Sequence, residues 1–318
     1  MEKDMKKKKV IANIITIVIC LVIVALGYVA YKYFTNANDL KNQNEPEQVE
    51  EKISTEPLYT DENYPKVDGS TATAPLAEAF EANFKGKKID EVNVEHSKTH
   101  KAYEKLINKE LDLILVTSPS EDEEKLAEKS NVELEVTKVV NEGFVFFLNK
   151  NNPVNSLTVE QIQKIYSGEI TNWKEVGGND EEIIAYQRPK NSGSQTGMLD
   201  LVMKDKKIKD APKEDIAMTM SDIIDAVSNY DNKESAIGYS YYYYANTMYL
   251  SDEIKLLKVD GVEPNNDTIK NGEYPILTAY YIVNRKNDIS SEAESLKENM
   301  LSTRGQKVAE EAGYVPCK

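Results

Sequence analysis

The apolar positions of this 318-residue chain fall into three regimes. Residues 10–31 are an uncharged run rich in Ile, Val and Leu. As a helix rising about 1.5 Å per residue, such a run covers roughly 33 Å, enough for a bilayer core. Residues 35–60 are polar and acidic with few apolar positions, the composition of a flexible tether. From about Tyr64 onward the pattern becomes that of a folded body. No internal repeat stands out in it, and the only biased tract is the four tyrosines at 241–244.

Within the body, periods near 2 and near 3.6 alternate. Residues 74–84 have helical spacing, with Leu76, Ala79, Phe80 and Phe84 on one face. Residues 89–94 alternate as a strand, 102–108 read as a helix, and 111–116 form a short apolar strand suited to a parallel sheet covered on both faces. Residues 143–148 predict another strand. Residues 158–166 predict a helix opened by Thr158 and Gln161, a capping box. Strands follow at 183–186, 237–244 and 276–283, and helices at 290–301 and 305–312. This alternation predicts layered α/β architecture, and about 255 residues suffice for two α/β lobes with a cleft between them. Tyr241–Tyr244 read as an alternating strand packed on one side, and Trp173 as a structural anchor.

Charge sharpens the division. Acidic residues outnumber basic ones 54 to 39, a net charge of −15. Residues 1–9 carry five lysines against Glu2 and Asp4, a net of +3, so the remainder carries −18. Lysines ahead of the apolar run predict a cytoplasmic N-terminus and an extracytoplasmic body. The run is long for a signal peptide, and no small-residue cleavage site follows it, so it reads as an uncleaved anchor. Cys20 lies inside the run behind Ile19, which argues against lipoprotein processing, and Cys317 is too far away along the chain to pair with it. The acidic balance excludes nucleic acid as a partner. With two histidines and two cysteines in all, a histidine triad or thiolate zinc site has little material. His96 and His100 are four apart but lack a third His or Cys, so no metal is expected. No Walker loop, G-x-G-x-x-G motif or nucleophile elbow is present.

Three hydroxyl-rich loops each follow an apolar strand and precede a helix. The first, residues 68–75, offers Gly69, Ser70, Thr71 and Ala72 at a helix start, where free N–H groups and the helix dipole favour an anion. An ordinary Ser/Thr helix cap is the plainer reading. The second, Thr117-Ser118-Pro119-Ser120, lies at a strand's C-terminal end, the usual ligand side of open α/β sheets. Ser120 with Glu123 or Glu124 reads as a capping box. The third, residues 187–196, sets Arg188 four residues before Ser192-Gly193-Ser194. Arg is a planar bidentate clamp for oxyanions, and amides around a glycine form an anion nest.

The order D-G-S-T-A-T-A-P-L (68–76), L-T-V-E-Q-I-Q-K-I-Y-S-G-E-I-T-N-W (157–173), Q-R-P-K-N-S-G-S-Q-T (187–196) and A-I-G-Y-S-Y (236–241) resembles the phosphate-binding proteins of ABC phosphate-uptake systems. The resemblance covers residues 64–316. It implies a type II periplasmic-binding-protein fold, two α/β lobes joined by crossovers near 139–147 and 245–281. It also implies ligand contacts from the Thr71 hydroxyl, the Ala72 N–H, the Thr99 hydroxyl at a helix start, Arg188, and the Ser192-Gly193-Ser194 turn. Such proteins commonly carry an Asp that accepts the ligand's proton, and here that place holds Thr117. A hydroxyl repels a fully ionised oxyanion less than a carboxylate does, so sulfate competes as a ligand.

The expected organisation is a cytoplasmic tail (1–9), an anchor (10–33), a linker (34–62), one lobe from 63–145 with 246–318, and a second from 146–245. The expected role is a monomeric, membrane-tethered, extracytoplasmic binding protein. It captures phosphate or a similar tetrahedral oxyanion for an ABC permease and ATPase, with no cofactor and no covalent chemistry. Ser70, Thr71, Ala72, Thr99, Thr117, Ser118, Arg188, Ser192, Gly193 and Ser194 are the expected ligand contacts. The alternative is a sensor or adaptor of the same fold that does not deliver its ligand. A phosphate-ester hydrolase would need a general base or metal cluster beside Arg188, which the sequence lacks.

Overall fold

Local chain chemistry fixes most elements of the computed structural model, which describes residues 53–228 and 234–317, together with Lys32. Met1–Lys52 and Ile53–Lys318 are separate units, and the second is the folded body. The expected tail lies outside the described residues, as do the expected anchor except for Lys32 and most of the expected linker. Among the described residues no helix is long and apolar enough to cross a membrane.

Strand β1 (Val67–Gly69) leads through one 3-10 turn at Thr71–Thr73 into α1 (Ala74–Lys85). Pro75 in the first turn suits a helix start. Gly86, at φ 64°, closes the helix in the left-handed conformation that glycine adopts without strain. Leu76, Phe80 and Phe84 form its buried stripe. Then come α2 (Thr99–Ile107), the fully buried β2 (Leu113–Val116), and α3 (Glu121–Lys129), with four acidic residues in its first turn. The 16-residue β3 (Leu134–Asn149) precedes β4 (Ser156–Leu157) and α4 (Val159–Ser167). The Thr158–Gln161 capping box forms as expected: Thr158 Oγ1 accepts from the Gln161 N–H at 3.1 Å, and Gln161 Oε1 accepts from the Thr158 N–H at 2.9 Å.

After β5 (Ile184–Ala185), the short α5 (Gly193–Gly197) continues as a π-helical stretch at Met198–Met203. Then follow α6 (Met220–Ser228), β6 (Ala236–Tyr241), β7 (Ile254–Leu256), β8 (Lys258–Val259), α7 (Asn266–Lys270) and β9 (Leu277–Arg285). Helices α8 (Ser291–Leu301) and α9 (Thr303–Glu311) and the terminal β10 (Val315–Pro316) complete the body.

The sheet explains how the body divides. Leu134–Gly143 of β3 pairs antiparallel with β9, which pairs antiparallel with β2, and β2 runs parallel to β1. From Phe144 onward the same strand pairs antiparallel with β6 and then β7, and β6 runs parallel to β5. One strand thus passes from one half of the molecule to the other at Gly143–Phe144. Strands β7 and β8 still pair with the second half, through β3 and β4, so the chain returns to the first half only between Val259 and Leu277.

The parallel pairing expected of the apolar run at 111–116 is met on one side, where the buried β2 runs parallel to β1, but the sheet as a whole is mixed, because the long antiparallel strands β3 and β9 sit between the two parallel pairs. Two expectations fail. Residues 89–94 are not a strand: Ile89–Glu91 form a 3-10 turn in which the Glu91 carboxylate accepts from the Lys88 N–H, and Ile89 stays exposed. Local side-chain-to-backbone bonding outweighs alternation there. Strand β6 ends at Tyr241, and Tyr242–Met248 turn helical, with Tyr244–Met248 π-helical. All four tyrosines are buried.

Phe144, Phe146, Tyr166 and Tyr239 form edge-to-face and tilted ring contacts in the main core. Trp173 is the expected anchor, buried with its indole N–H donating to the Ser235 carbonyl at 2.9 Å.

Candidate functional site

The three loops meet. Ser70, Thr71, Ala72, Thr99, Thr117, Arg188, Ser192, Gly193 and Ser194 line one cleft of about 480 Å³. Ser118 is absent from its lining.

Asp68 sets the first loop. Its carboxylate is buried and accepts from the N–H groups of Gly69 (2.6 Å) and Ser97 (2.8 Å), the Ser97 hydroxyl (2.6 Å) and Lys105 Nζ (3.0 Å). Burial would raise its pKa, but these bonds hold it below the usual carboxylate range. This anchors residues 68–70 to the irregular segment that leads into α2 and presents Thr99. Gly69 serves packing as well: a Cβ there would stand 2.5 Å from the Leu115 carbonyl oxygen. Thr73, unremarked in the sequence, donates from its hydroxyl to that same carbonyl at 2.5 Å and accepts from the Ser70 N–H at 3.1 Å. Ser70 and Thr73 thus share the plainer capping role, and Ser70, Thr71 and Ala72 also line the cleft.

Thr99 opens α2 after Lys98, whose φ of 72° and ψ of 160° lie in a region that side-chain-bearing residues rarely adopt. Asn191, at φ 64°, is a second strained residue of the cleft lining. Strain of this kind, costing about 1–3 kcal/mol per residue, concentrates at functional sites. Thr117 follows β2. Its hydroxyl is buried beside that of Tyr241, and its carbonyl accepts from the Tyr103 hydroxyl at 2.8 Å. At the next helix, the Glu123 carboxylate accepts from the Ser120 N–H at 2.6 Å, the carboxylate half of the expected capping box.

Arg188 is only 8% exposed. Its Nη1–H donates to the Ala217 carbonyl at 2.6 Å and its Nε–H to Ser194 Oγ at 3.3 Å. Its backbone N–H is held by Gln195 Oε1 and the Tyr239 hydroxyl, each at 3.0 Å. Among the described residues no carboxylate forms an ion pair with this guanidinium. Burial lowers its pKa, with nearby Tyr239 and Asp222 working the other way. An unpaired buried cation is costly, so an anion in the cleft would offset a standing penalty. Ser192 caps α5 through Oγ, accepting from the Gln195 N–H at 3.3 Å. Gly193 fits because nothing larger does: a Cβ would lie 2.6 Å from Thr117 Oγ1 and 2.9 Å from Thr99 Oγ1.

The two sides already touch. Asp122 at the start of α3 accepts from Lys190 Nζ at 2.7 Å and Asn191 Nδ2 at 2.9 Å, and these bonds lower its pKa.

Sequence reasoning missed part of the lining. Residues 218–221 contribute, and so do Tyr241 and Tyr244. Thr219 and Asp222 cap α6 reciprocally, at 2.7 and 3.1 Å. That T-x-x-D pattern was the available signal for a fourth helix start at the cleft. Tyr241 donates its hydroxyl to the Gly193 carbonyl at 2.8 Å, fixing the turn. The histidines bond to carboxylates: His96 Nε2 lies 3.4 Å from Glu78 and His100 Nδ1 lies 2.9 Å from Glu123. His100 and Lys98 also line the cleft.

The chain is 29% identical over 260 residues to the phosphate-binding protein PstS of Staphylococcus saprophyticus, covering 79% of each. It is 24% identical over 314 residues to PstS of Bacillus subtilis, covering 98% of this chain and 95% of that protein. A crystal structure with bound phosphate from Clostridium perfringens, assigned as a phosphate ABC transporter substrate-binding protein, superposes with a TM-score of 0.64 at 26% identity. That match covers 79% of this chain and 98% of that one. Residues 57–298 match the family model of the PBP superfamily domain, and the chain belongs to that superfamily.

Proposed function

We propose that the protein is a solute-binding protein that captures phosphate, or a phosphate-like tetrahedral oxyanion, and hands it to an ABC importer. The observation that carries this reading is Arg188, a buried guanidinium without a carboxylate partner among the described residues, in a cleft where three hydroxyl-bearing helix starts converge. The names of its relatives, PstS among them, support the choice of ligand class. The bonds involved are charge-assisted and need no covalent step, so the protein acts by binding and hinge closure and not as an enzyme. Thr71, Ala72, Thr99, Thr117 and the Ser192–Ser194 turn are the assigned contacts. Ser70 stands at the edge of the same loop.

The further organisation belongs to the same proposal. Residues 1–9 are a cytoplasmic tail, 10–33 an anchor and 34–62 a tether that holds an extracytoplasmic body near a permease and its ATPase. The body acts as a monomer. One lobe comprises 63–145 with 246–318 and the other 146–245, with the amendment that β7 and β8, expected in the first, go with the second, since they pair with β3 and β4.

Isothermal titration of the detergent-solubilised full chain with phosphate and with sulfate tests the reading. Phosphate binds at micromolar concentration or tighter, and Arg188→Ala weakens it by roughly a hundredfold, as loss of a buried charge-assisted clamp does. Absence of heat with either anion refutes the proposal.

A further inference from the structure

The three loops of the cleft share a feature. In each, the carbonyl oxygen of a cleft-lining residue accepts from the hydroxyl of a buried tyrosine at 2.8 Å. Tyr314 donates to Ala72, Tyr103 to Thr117 and Tyr241 to Gly193. The three tyrosines are buried and come from separate places in the fold: the segment after α9, helix α2 and the end of β6.

A buried phenol needs a hydrogen-bond partner, so one such bond is ordinary. Three of them, one on each loop, have a consequence for an anion. A carbonyl dipole that turns toward an anion repels it, and a turn that must be ordered at capture costs affinity. Each phenol occupies a carbonyl oxygen and pins the turn that carries it.

The donors are themselves held. Tyr314 stacks on Tyr243, with ring centroids 3.6 Å apart and planes at 18°, and meets Tyr280 edge-on at 6.0 Å. Strand β10, which follows Tyr314, pairs with Val140 and Asn141 of β3. Tyr280 also contacts Tyr241, with centroids 5.4 Å apart. Tyr103 packs in a second core cluster with Leu106, Ile114 and Val283. By strand pairing each bond lies within one half of the body: Tyr103 and Tyr314 go with β1 and β2, and Tyr241 with β6. Hinge closure therefore leaves all three bonds in place.

We infer that Tyr103, Tyr241 and Tyr314 are positioning residues for anion capture, one for each loop. They hold the Thr117, Gly193 and Ala72 carbonyls so that the loops meet the ligand already in binding geometry. The inference rests on the oxyanion reading above and adds the residues that preorganise its site.

Calorimetry of the full chain with inorganic phosphate tests it. Tyr103→Phe, Tyr241→Phe and Tyr314→Phe keep the ring and remove the hydroxyl. Each weakens phosphate binding about three- to tenfold, the range of one net hydrogen bond. Tyr243→Phe is the control. It loses a bond of the same kind, from its hydroxyl to the Ala312 carbonyl at 2.9 Å, and Ala312 is not in the cleft lining. This variant loses stability in urea as the other three do, but keeps wild-type affinity. Equal loss of affinity in all four variants makes the tyrosines general supports of the fold and overturns the inference. Wild-type affinity in any one of the first three overturns the assignment of its loop, and in all three the inference as a whole, with the oxyanion reading left standing. Absence of phosphate binding in the wild type overturns the oxyanion reading itself and the inference with it.

Discussion

Glu142 offers the sharpest test of the energetics. It sits in β3 beside the point where that strand passes from one half of the body to the other, opposite Thr278 of β9, and is 2% exposed. Its carboxyl accepts from the N–H groups of Gly143 (2.8 Å) and Tyr243 (3.3 Å). Burial dominates these bonds and pushes its pKa from 4.5 to about 8. The folded protein therefore holds a proton that the unfolded chain releases near pH 4.5. The stability contributed by the neutral acid is fully present below that pH and is lost as pH rises through about 8. At 1.36 kcal/mol per unit, the shift corresponds to about 4–5 kcal/mol in total, of which about 3 kcal/mol falls between pH 5 and pH 8. Glu142→Gln keeps the acceptor oxygen and removes the titration. Urea unfolding at pH 5, 6.5 and 8, followed by the fluorescence of Trp173, the single tryptophan, isolates the difference. The wild type loses about 3 kcal/mol more than the variant across that range. Parallel pH profiles for the two proteins refute a buried neutral carboxylic acid at this position.

Three further outcomes follow from the cleft. In Gly193→Ala the new methyl meets Thr117 Oγ1 at 2.6 Å, so calorimetry shows ligand affinity falling at least roughly tenfold, as misfit of 1–3 kcal/mol implies. Lys98→Gly relieves the backbone strain at φ 72°, and chemical denaturation shows a net gain of about 1 kcal/mol after the entropy of the added glycine is subtracted. Asp122→Ala removes the acceptor shared by Lys190 and Asn191. Stopped-flow displacement then shows ligand release accelerating roughly two- to fivefold, with a smaller effect at high salt.

Elements governed by short-range chemistry were legible in the sequence. Thr158 and Gln161 announce α4, and the uninterrupted apolar run announces β2. The convergence of the loops at 70–72, 99, 117 and 188–194 was legible only through the resemblance, since no local pattern says which helix starts share a cleft. Long-range pairing hid the rest. Nothing local to Leu134–Glu142 marks it as the first part of a 16-residue strand, because its exposed positions alternate irregularly until β9 covers it. The tyrosines at 242–244 have strong strand propensity, yet the chain turns helical there and brings Tyr244 to the cleft. Met218 and Met220 carried no signal beyond an ordinary helix cap nearby.

The charge distribution sets a final constraint. The chain outside residues 1–9 carries −18, while the cleft is lined by Lys98, Arg188 and Lys190 and by no acidic residue. Capture of an anion is thus a contest between a repulsive body and an attractive site. The body acts over distance and is screened by salt: the Debye length shortens from about 30 Å at 0.01 M to about 8 Å at 0.15 M. The site acts at contact, in a partly buried setting where salt screens little. Raising ionic strength across that range therefore speeds association of a divalent oxyanion, by roughly two- to fivefold, and leaves dissociation nearly unchanged. Stopped-flow association rates measured in sodium chloride would settle the contest. A rate that falls with salt would mean that the cleft's own cations steer the ligand from a distance, and that the acidic surface is turned away from its approach.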